Sequence, residues 1–184
     1  NQFEKSAEQF SKISYTEDSL GQNSLYHLGE SYLRSNKKSY ARNAYRAASK
    51  MDFDEKLKED ALFKYALLSF ELSYDPYDGA ISAFKEYIKT YTNTERTQQS
   101  FDYLVHIYLT SKNYDMALSS IDEYQKPDIR LKDAYQRIAF NKGVSLYQDR
   151  LFAEAITYFD KALKYDQSST LTAKALYWKA ESYY

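Results

Sequence analysis

NKGVSLYQDRLFAEAITYFDKAL, residues 141–163, reads as two short amphipathic helices joined by a sharp reversal. On the first, Gly143 is followed by Leu146 and Tyr147. On the second, Phe152, Ala155, Ile156, Phe159 and Ala162 recur at spacings of three and four, which puts them on one helix face. Between the two lies Gln148-Asp149-Arg150, too short for anything but a tight connection. A lone hairpin of this kind cannot bury its apolar surface, so it predicts neighbours of the same kind.

The rest of the chain supplies them. A small residue marks each second helix at Ser6, Ala41, Ala80, Ala117 and Ala155, with separations of 35, 39, 37 and 38 residues. Four residues later stands a large side chain (Phe10, Tyr45, Phe84, Ile121, Phe159), and seven later Ile13, Ala48, Tyr87, Tyr124 or Ala162. Twelve residues before the small residue come Gly29, Val105 and Gly143; Ala66 precedes Ala80 by fourteen, the extra length falling in the turn around Asp75-Pro76. Helix register persists while loop length drifts. Small residues at a helix crossing, flanked by large ones, permit close approach with filled grooves.

This register predicts about ten helices, over residues 1–13, 23–35, 37–51, 55–73, 77–91, 95–111, 114–125, 129–148, 151–165 and 169–184. Asp52-Phe53-Asp54-Glu55 has the form of a helix start. Residues 14–22, with Gly21, read as a loop. Asp75-Pro76-Tyr77-Asp78-Gly79 reads as a turn, and Pro127 as a break.

Composition agrees with a helical array. Of 184 residues, 43% are hydrophobic and 28% charged, with only 4 Gly and 2 Pro to interrupt helices. A net charge of −1 gives no bulk electrostatic reason to expect a nucleic acid or an anionic membrane. The absence of cysteine excludes disulfides, thiol catalysis and thiolate metal sites. No apolar run reaches membrane-spanning length. The 21 Tyr suit the many half-buried positions of a two-layer array, where the ring packs and the hydroxyl reaches water.

These residues resemble the tetratricopeptide repeat, whose pattern has a bulky residue, Leu-Gly and Tyr on the first helix and Ala and Phe on the second. Leu25, Leu28-Gly29, Tyr32, Ala41, Tyr45 and Ala48 match it almost position for position. Leu62, Tyr65-Ala66, Ala80 and Phe84 form a looser copy; Phe101, Leu104-Val105, Tyr108, Ala117 and Ile121 a third; Gly143, Leu146, Ala155, Phe159 and Ala162 a fourth. Leu176, Ala180 and Tyr183 look like the first helix of a fifth. Departures are a period above the family's usual length of about 34 and the missing Pro after the second helix. The resemblance implies an all-α fold, a right-handed α-solenoid of antiparallel helix hairpins, as one array: 1–13 a second helix alone, repeats at 22–53, 56–91, 95–126 and 130–165, and 169–184 a first helix alone. The unpaired end helices lead us to expect a piece of a longer array, or end-to-end self-association through the truncated repeats. The long linkers resemble those of bacterial cell-envelope members, which implies the periplasm or envelope of a Gram-negative bacterium, with the cytoplasm as alternative.

In this family the first helices line a concave groove that binds a peptide or protein segment. Carried over by register, that implies Tyr26, Glu30 and Arg34; Phe63, Leu67 and Phe70; Asp102 and His106; Phe140, Val144 and Tyr147; and Tyr177 and Glu181. Aromatic and acidic side chains there do not support the carboxylate clamp of some members and better suit an apolar or amphipathic segment. Phe63, Phe70 and Phe140 equally suit packing between adjacent first helices. Trp178, the only tryptophan, is expected to pack between helices. His27 and His106 lie in different copies without a ligand cluster, so no metal site follows; no phosphate loop, nucleophile elbow or other catalytic constellation is present, and no cofactor is expected. The reading is a non-enzymatic protein-interaction scaffold. The alternatives are a helical-repeat RNA-binding module, which Glu30, Asp102 and Glu181 oppose, and the repeat domain of a larger envelope enzyme or assembly factor.

Overall fold

The computed structural model describes residues 2–72, 78–92, 94–122 and 129–184 of the chain. The described residues form ten helices and no strand: α1 (Gln2–Ser11), α2 (Ser19–Arg34), α3 (Lys38–Ala48), α4 (Glu55–Leu72), α5 (Asp78–Thr90), α6 (Glu95–Thr110), α7 (Tyr114–Asp122), α8 (Ile129–Gln148), α9 (Phe152–Leu163) and α10 (Ser169–Tyr183). The all-α repeat reading holds. Asp75, Pro76, Tyr77, Tyr124 and Pro127 lie outside the described residues. The chain divides into two compact units, Asn1–Phe101 and Asp102–Tyr184. In the first, α1 packs on α2, α2 on α3, α3 on α4 and α4 on α5; in the second, α7 packs on α8, α8 on α9 and α9 on α10, and α8 also touches α10.

The hairpin crossings follow the register. Ala41, Ala80, Ala117 and Ala155 are fully buried, as are Tyr45, Phe84 and Phe159 four residues on. At two crossings the aromatic ring lies directly on a glycine. A Cβ on Gly29 would stand 2.8–2.9 Å from the Tyr45 ring, and one on Gly143 2.7–3.1 Å from that of Phe159. Glycine is required there by the close approach of the ring to the backbone.

α1 departs from the register. Ser6 is only half-buried, its hydroxyl donating to the Gln2 carbonyl, and the buried small residue is Ala7, which packs with Leu28 and Ala44. The expected loop at 14–22 is also shorter. Asp18 caps α2, its carboxylate accepting from the Gly21 amide at 2.8 Å, so Gly21 sits in the first helical turn. A Cβ there would stand 1.8 Å from the Thr16 carbonyl oxygen. Contact with the preceding turn selects this glycine, and loop freedom does not.

The turns inside the hairpins repeat as well. Asn36, Lys112 and Arg150, each five residues before the buried alanine of its second helix, have φ of 59°, 54° and 61°. Lys37 N donates to Tyr32 O and Leu151 N to Leu146 O, the six-to-one bond that closes a helix through a left-handed residue.

Successive repeats are fastened by a glutamine. Gln22 is fully buried at the start of α2; its Nε2 donates to the carbonyls of Met51 (2.8 Å), Asp54 (3.2 Å) and Ala48 (3.3 Å), and its Oε1 accepts from Asp54 N (2.6 Å). Asp54 caps α4 through the amides of Lys56 and Leu57. Gln136, also fully buried, bonds the same way to Ser168, the cap of α10: Oε1 accepts from Ser168 N (2.9 Å) and Nε2 donates to Thr172 Oγ1 (2.9 Å). In each case the glutamine lies 32 residues before the cap.

Tyrosine–carboxylate bonds join further helices. Tyr87 donates to Glu59 (2.6 Å), Tyr91 to Glu55 (2.7 Å) and Tyr158 to Asp115. Burial, and then the carboxylate beside each, pushes the Tyr87 and Tyr158 phenols up to about 12 and raises Tyr91 as well. An unfolded tyrosine ionises near 10. The stability these groups contribute is therefore fully present below about pH 10 and is lost as pH rises towards about 12. Thermal melts from pH 8 to 11.5 are expected to show a falling Tm above about pH 10, less steep in Tyr87→Phe; a Tm unchanged across that range would contradict the pairing.

Candidate functional site

In the first unit the first-helix face is occupied by an ion network. Asp60, in the first turns of α4, is its centre: it accepts from Tyr26 Oη (2.5 Å) and Arg96 Nη2 (2.6 Å) and pairs with Lys64 at 2.9 Å. Lys64 Nζ also donates to Tyr26 Oη (2.6 Å), reaches Glu30 at 3.4 Å, and stands over the rings of Tyr26 and Tyr45 at 4.5 and 5.2 Å. Asp60 and Lys64 meet because residues four apart share a helix face. Burial alone would raise the Asp60 carboxyl, but the bonds from Tyr26, Lys64 and Arg96 hold it below its ordinary value. Burial opposes the Lys64 charge, yet Tyr26 and Asp60 raise its pKa. Burial pushes the Tyr45 phenol up to about 12, and its buried hydroxyl has no hydrogen-bond partner among the described residues.

Of the predicted groove residues in this unit, Tyr26 and Glu30 belong to the network or its edge, with His27 Nδ1 3.1 Å from Glu30. Arg34 is exposed, with its guanidinium over Phe3 at 5.4 Å. Phe63 corrects the groove reading: it is 6% exposed, packed against Tyr87 (5.4 Å between ring centres) and covered by Arg96 at 5.1 Å. It is core. Leu67 and Phe70 are half-buried.

The second unit is different. Phe140, Val144 and Tyr147 of α8 are half-buried, and Phe140 leans on Phe159 at 6.1 Å. Tyr147 meets Trp178 of α10 edge to face at 5.0 Å and Phe152 at 5.3 Å; Trp178 meets Tyr177 at 5.4 Å. Tyr177 is 58% exposed, while Trp178 and Glu181 are half-buried. Asp102 and His106 are exposed on α6. Thus α8 and α10 bring Tyr147 and Tyr177 together through Trp178, giving a partly exposed aromatic strip. The described residues gather no group of three or more potential metal ligands, and no helix among them is long and apolar enough to cross a membrane.

Sequence reasoning passed over Asp60, Lys64, Arg96 and the two glutamines. The i,i+4 spacing of Asp60 and Lys64 was a usable signal, as was the 32-residue offset of each glutamine from a helix-start residue. Arg96 is 36 residues from Asp60, and no local pattern links them. A family model for the tetratricopeptide repeat matches residues 26–95, 104–170 and 140–184. Neither the curated proteins nor the solved structures gave a significant match.

Proposed function

The chain belongs to the tetratricopeptide repeat family, and from that premise we propose that it is a non-enzymatic scaffold binding an apolar or amphipathic protein segment through the first-helix face of its second unit. The repeats make it a protein–protein interaction module in the general sense. The observation that carries the finer reading is the aromatic strip of Tyr147, Trp178 and Tyr177, with Tyr177 58% exposed on α10 and Phe140 and Val144 half-buried on α8. On the corresponding face of the first unit, Lys64 and Arg96 are already engaged by Asp60 and Glu30. Rigid aromatic rings that keep part of their surface in water contribute most per side chain to an interface. Binding would follow from shape and apolar complementarity, as when an amphipathic helix lies in a groove.

The test is selection of peptide ligands from a displayed library on the 184-residue chain, followed by titration of variants. Tyr177→Ala and Tyr147→Ala are expected to weaken the selected peptides by about 10–30-fold, the loss of a central aromatic contact. Tyr15→Ala, a control at a residue 79% exposed in the first unit, should leave them unchanged. Peptides that bind folded Tyr177→Ala and Tyr147→Ala as tightly as the parent would refute the aromatic strip as the binding face.

A further inference from the structure

We propose that Asp60 is an internal occupant of an anion site on the first-helix face of the first unit, where it keeps acidic partner segments away. Three donors from three helices converge on its carboxylate: Tyr26 Oη of α2 at 2.5 Å, Lys64 Nζ of α4 at 2.9 Å and Arg96 Nη2 of α6 at 2.6 Å. Two of the three are cations, and charge-assisted bonds of this kind are how a protein recognises a free carboxylate or phosphate. The Asp60 side chain is 21% exposed and that of Lys64 28%, so the site opens to the surface yet is partly shielded from water, which strengthens the attraction.

The donors are also held by contacts that do not involve Asp60. Lys64 donates to Tyr26 Oη at 2.6 Å, reaches Glu30 at 3.4 Å and stands over the Tyr26 and Tyr45 rings. Arg96 lies over the buried Phe63 ring at 5.1 Å, and its neighbour Thr97 donates to the Tyr91 carbonyl at 2.6 Å, which fixes the start of α6. Removing the Asp60 charge therefore leaves both cations in place. Glu30 remains beside Lys64, but His27 Nδ1 shares it at 3.1 Å. A second observation points the same way. The Tyr45 hydroxyl is fully buried, with Lys64 over its ring, and has no hydrogen-bond partner among the described residues. Donors outnumber acceptors in this cluster, which is the condition for taking up an anion.

An external carboxylate competes poorly with this one. Asp60 is on the same chain and already in place, whereas a partner segment loses translational and side-chain freedom on arrival. The charges of Asp60 and Glu30 also repel an approaching anion. The effect is on specificity: while Asp60 is charged, Lys64 and Arg96 recognise no acidic group outside the chain. This inference rests on the general reading of the chain as a protein-interaction module and is independent of the aromatic strip in the second unit.

The test titrates the 184-residue chain into a fluorescently labelled hexaglutamate peptide at low salt and follows anisotropy. The parent is expected to show no saturable binding up to about 1 mM. Asp60→Asn and Asp60→Ala are expected to bind at least about 10-fold more tightly, the gain of one or two charge-assisted bonds. Adding Lys64→Met to Asp60→Ala should remove that gain. Glu71→Gln, which deletes an equal charge from an exposed pair with Lys38 in the same unit, should not produce it. No gain in either folded Asp60 variant, an equal gain in Glu71→Gln, or a gain that survives Lys64→Met would each overturn the proposal. Loss of helix content in both Asp60 variants would overturn it too, by making the carboxylate a requirement of the fold alone.

Discussion

Replacing Phe159 with Ala is expected to destabilise the second unit by about 3–5 kcal/mol, the cost of emptying a large buried aromatic site. Phe159 is fully buried, its ring fills the space over Gly143, and Phe140 leans on it from the first-helix side. The backbone of α8 cannot collapse into the vacated volume without moving the whole crossing. Urea denaturation followed by Trp178, the only tryptophan, reads the unit directly. The reciprocal change tests the same contact from the other side. In Gly143→Ala the new Cβ stands 2.7 Å from a ring carbon of Phe159. Overpacking of about 1–3 kcal/mol then cancels or exceeds the roughly 1 kcal/mol that alanine gains over glycine inside a helix, so Gly143→Ala is expected to be neutral to destabilising. If Phe159→Ala stays within about 1 kcal/mol of the parent, the ring-on-glycine crossing is not what holds the hairpin.

Gln22→Leu is expected to cost about 2–3 kcal/mol, although it places an apolar side chain of similar size in a buried position. The Met51 carbonyl and the Asp54 amide lose their partners at 2.8 and 2.6 Å, and Asp54 is the residue that caps α4. Buried polar groups left unmade cost more than the mean hydrogen bond contributes. The loss should appear as a lower urea midpoint by circular dichroism. Gln136→Leu should lose less, because its contact to the Ser168 carbonyl is 3.5 Å where Gln22 holds Met51 at 2.8 Å. A neutral or stabilising Gln22→Leu would show that the glutamine is tolerated at this junction and does not fasten it.

The hairpin register was legible in the sequence because it obeys one local rule. Ala155 and Phe159 share a face by helical period alone, and a glycine stands twelve positions before the alanine at both Gly29 and Gly143. Gly21 was misplaced because glycine usually punctuates loops, whereas this one is selected by the Thr16 carbonyl across a turn. The left-handed turn residues Asn36, Lys112 and Arg150 escaped notice because two of the three are types that rarely signal a positive φ. The site was less legible than the fold. Phe63 and Phe140 sit at matching register, yet Arg96 and Tyr87 bury the first while the second remains half-buried. What separates them is contact with residues far along the chain, which periodicity does not encode.

The proposed binding of a protein segment on the aromatic strip of α8 and α10 predicts a distinct hydroxyl-radical footprint for the chain with and without a selected peptide ligand. Oxidation of Tyr147, Tyr177 and Trp178 is expected to fall on binding, while that of Tyr15 and Tyr40, 79% and 62% exposed in the first unit, stays unchanged. Protection that leaves Tyr177 and Trp178 as reactive as in the free chain, with the ligand bound, would contradict it.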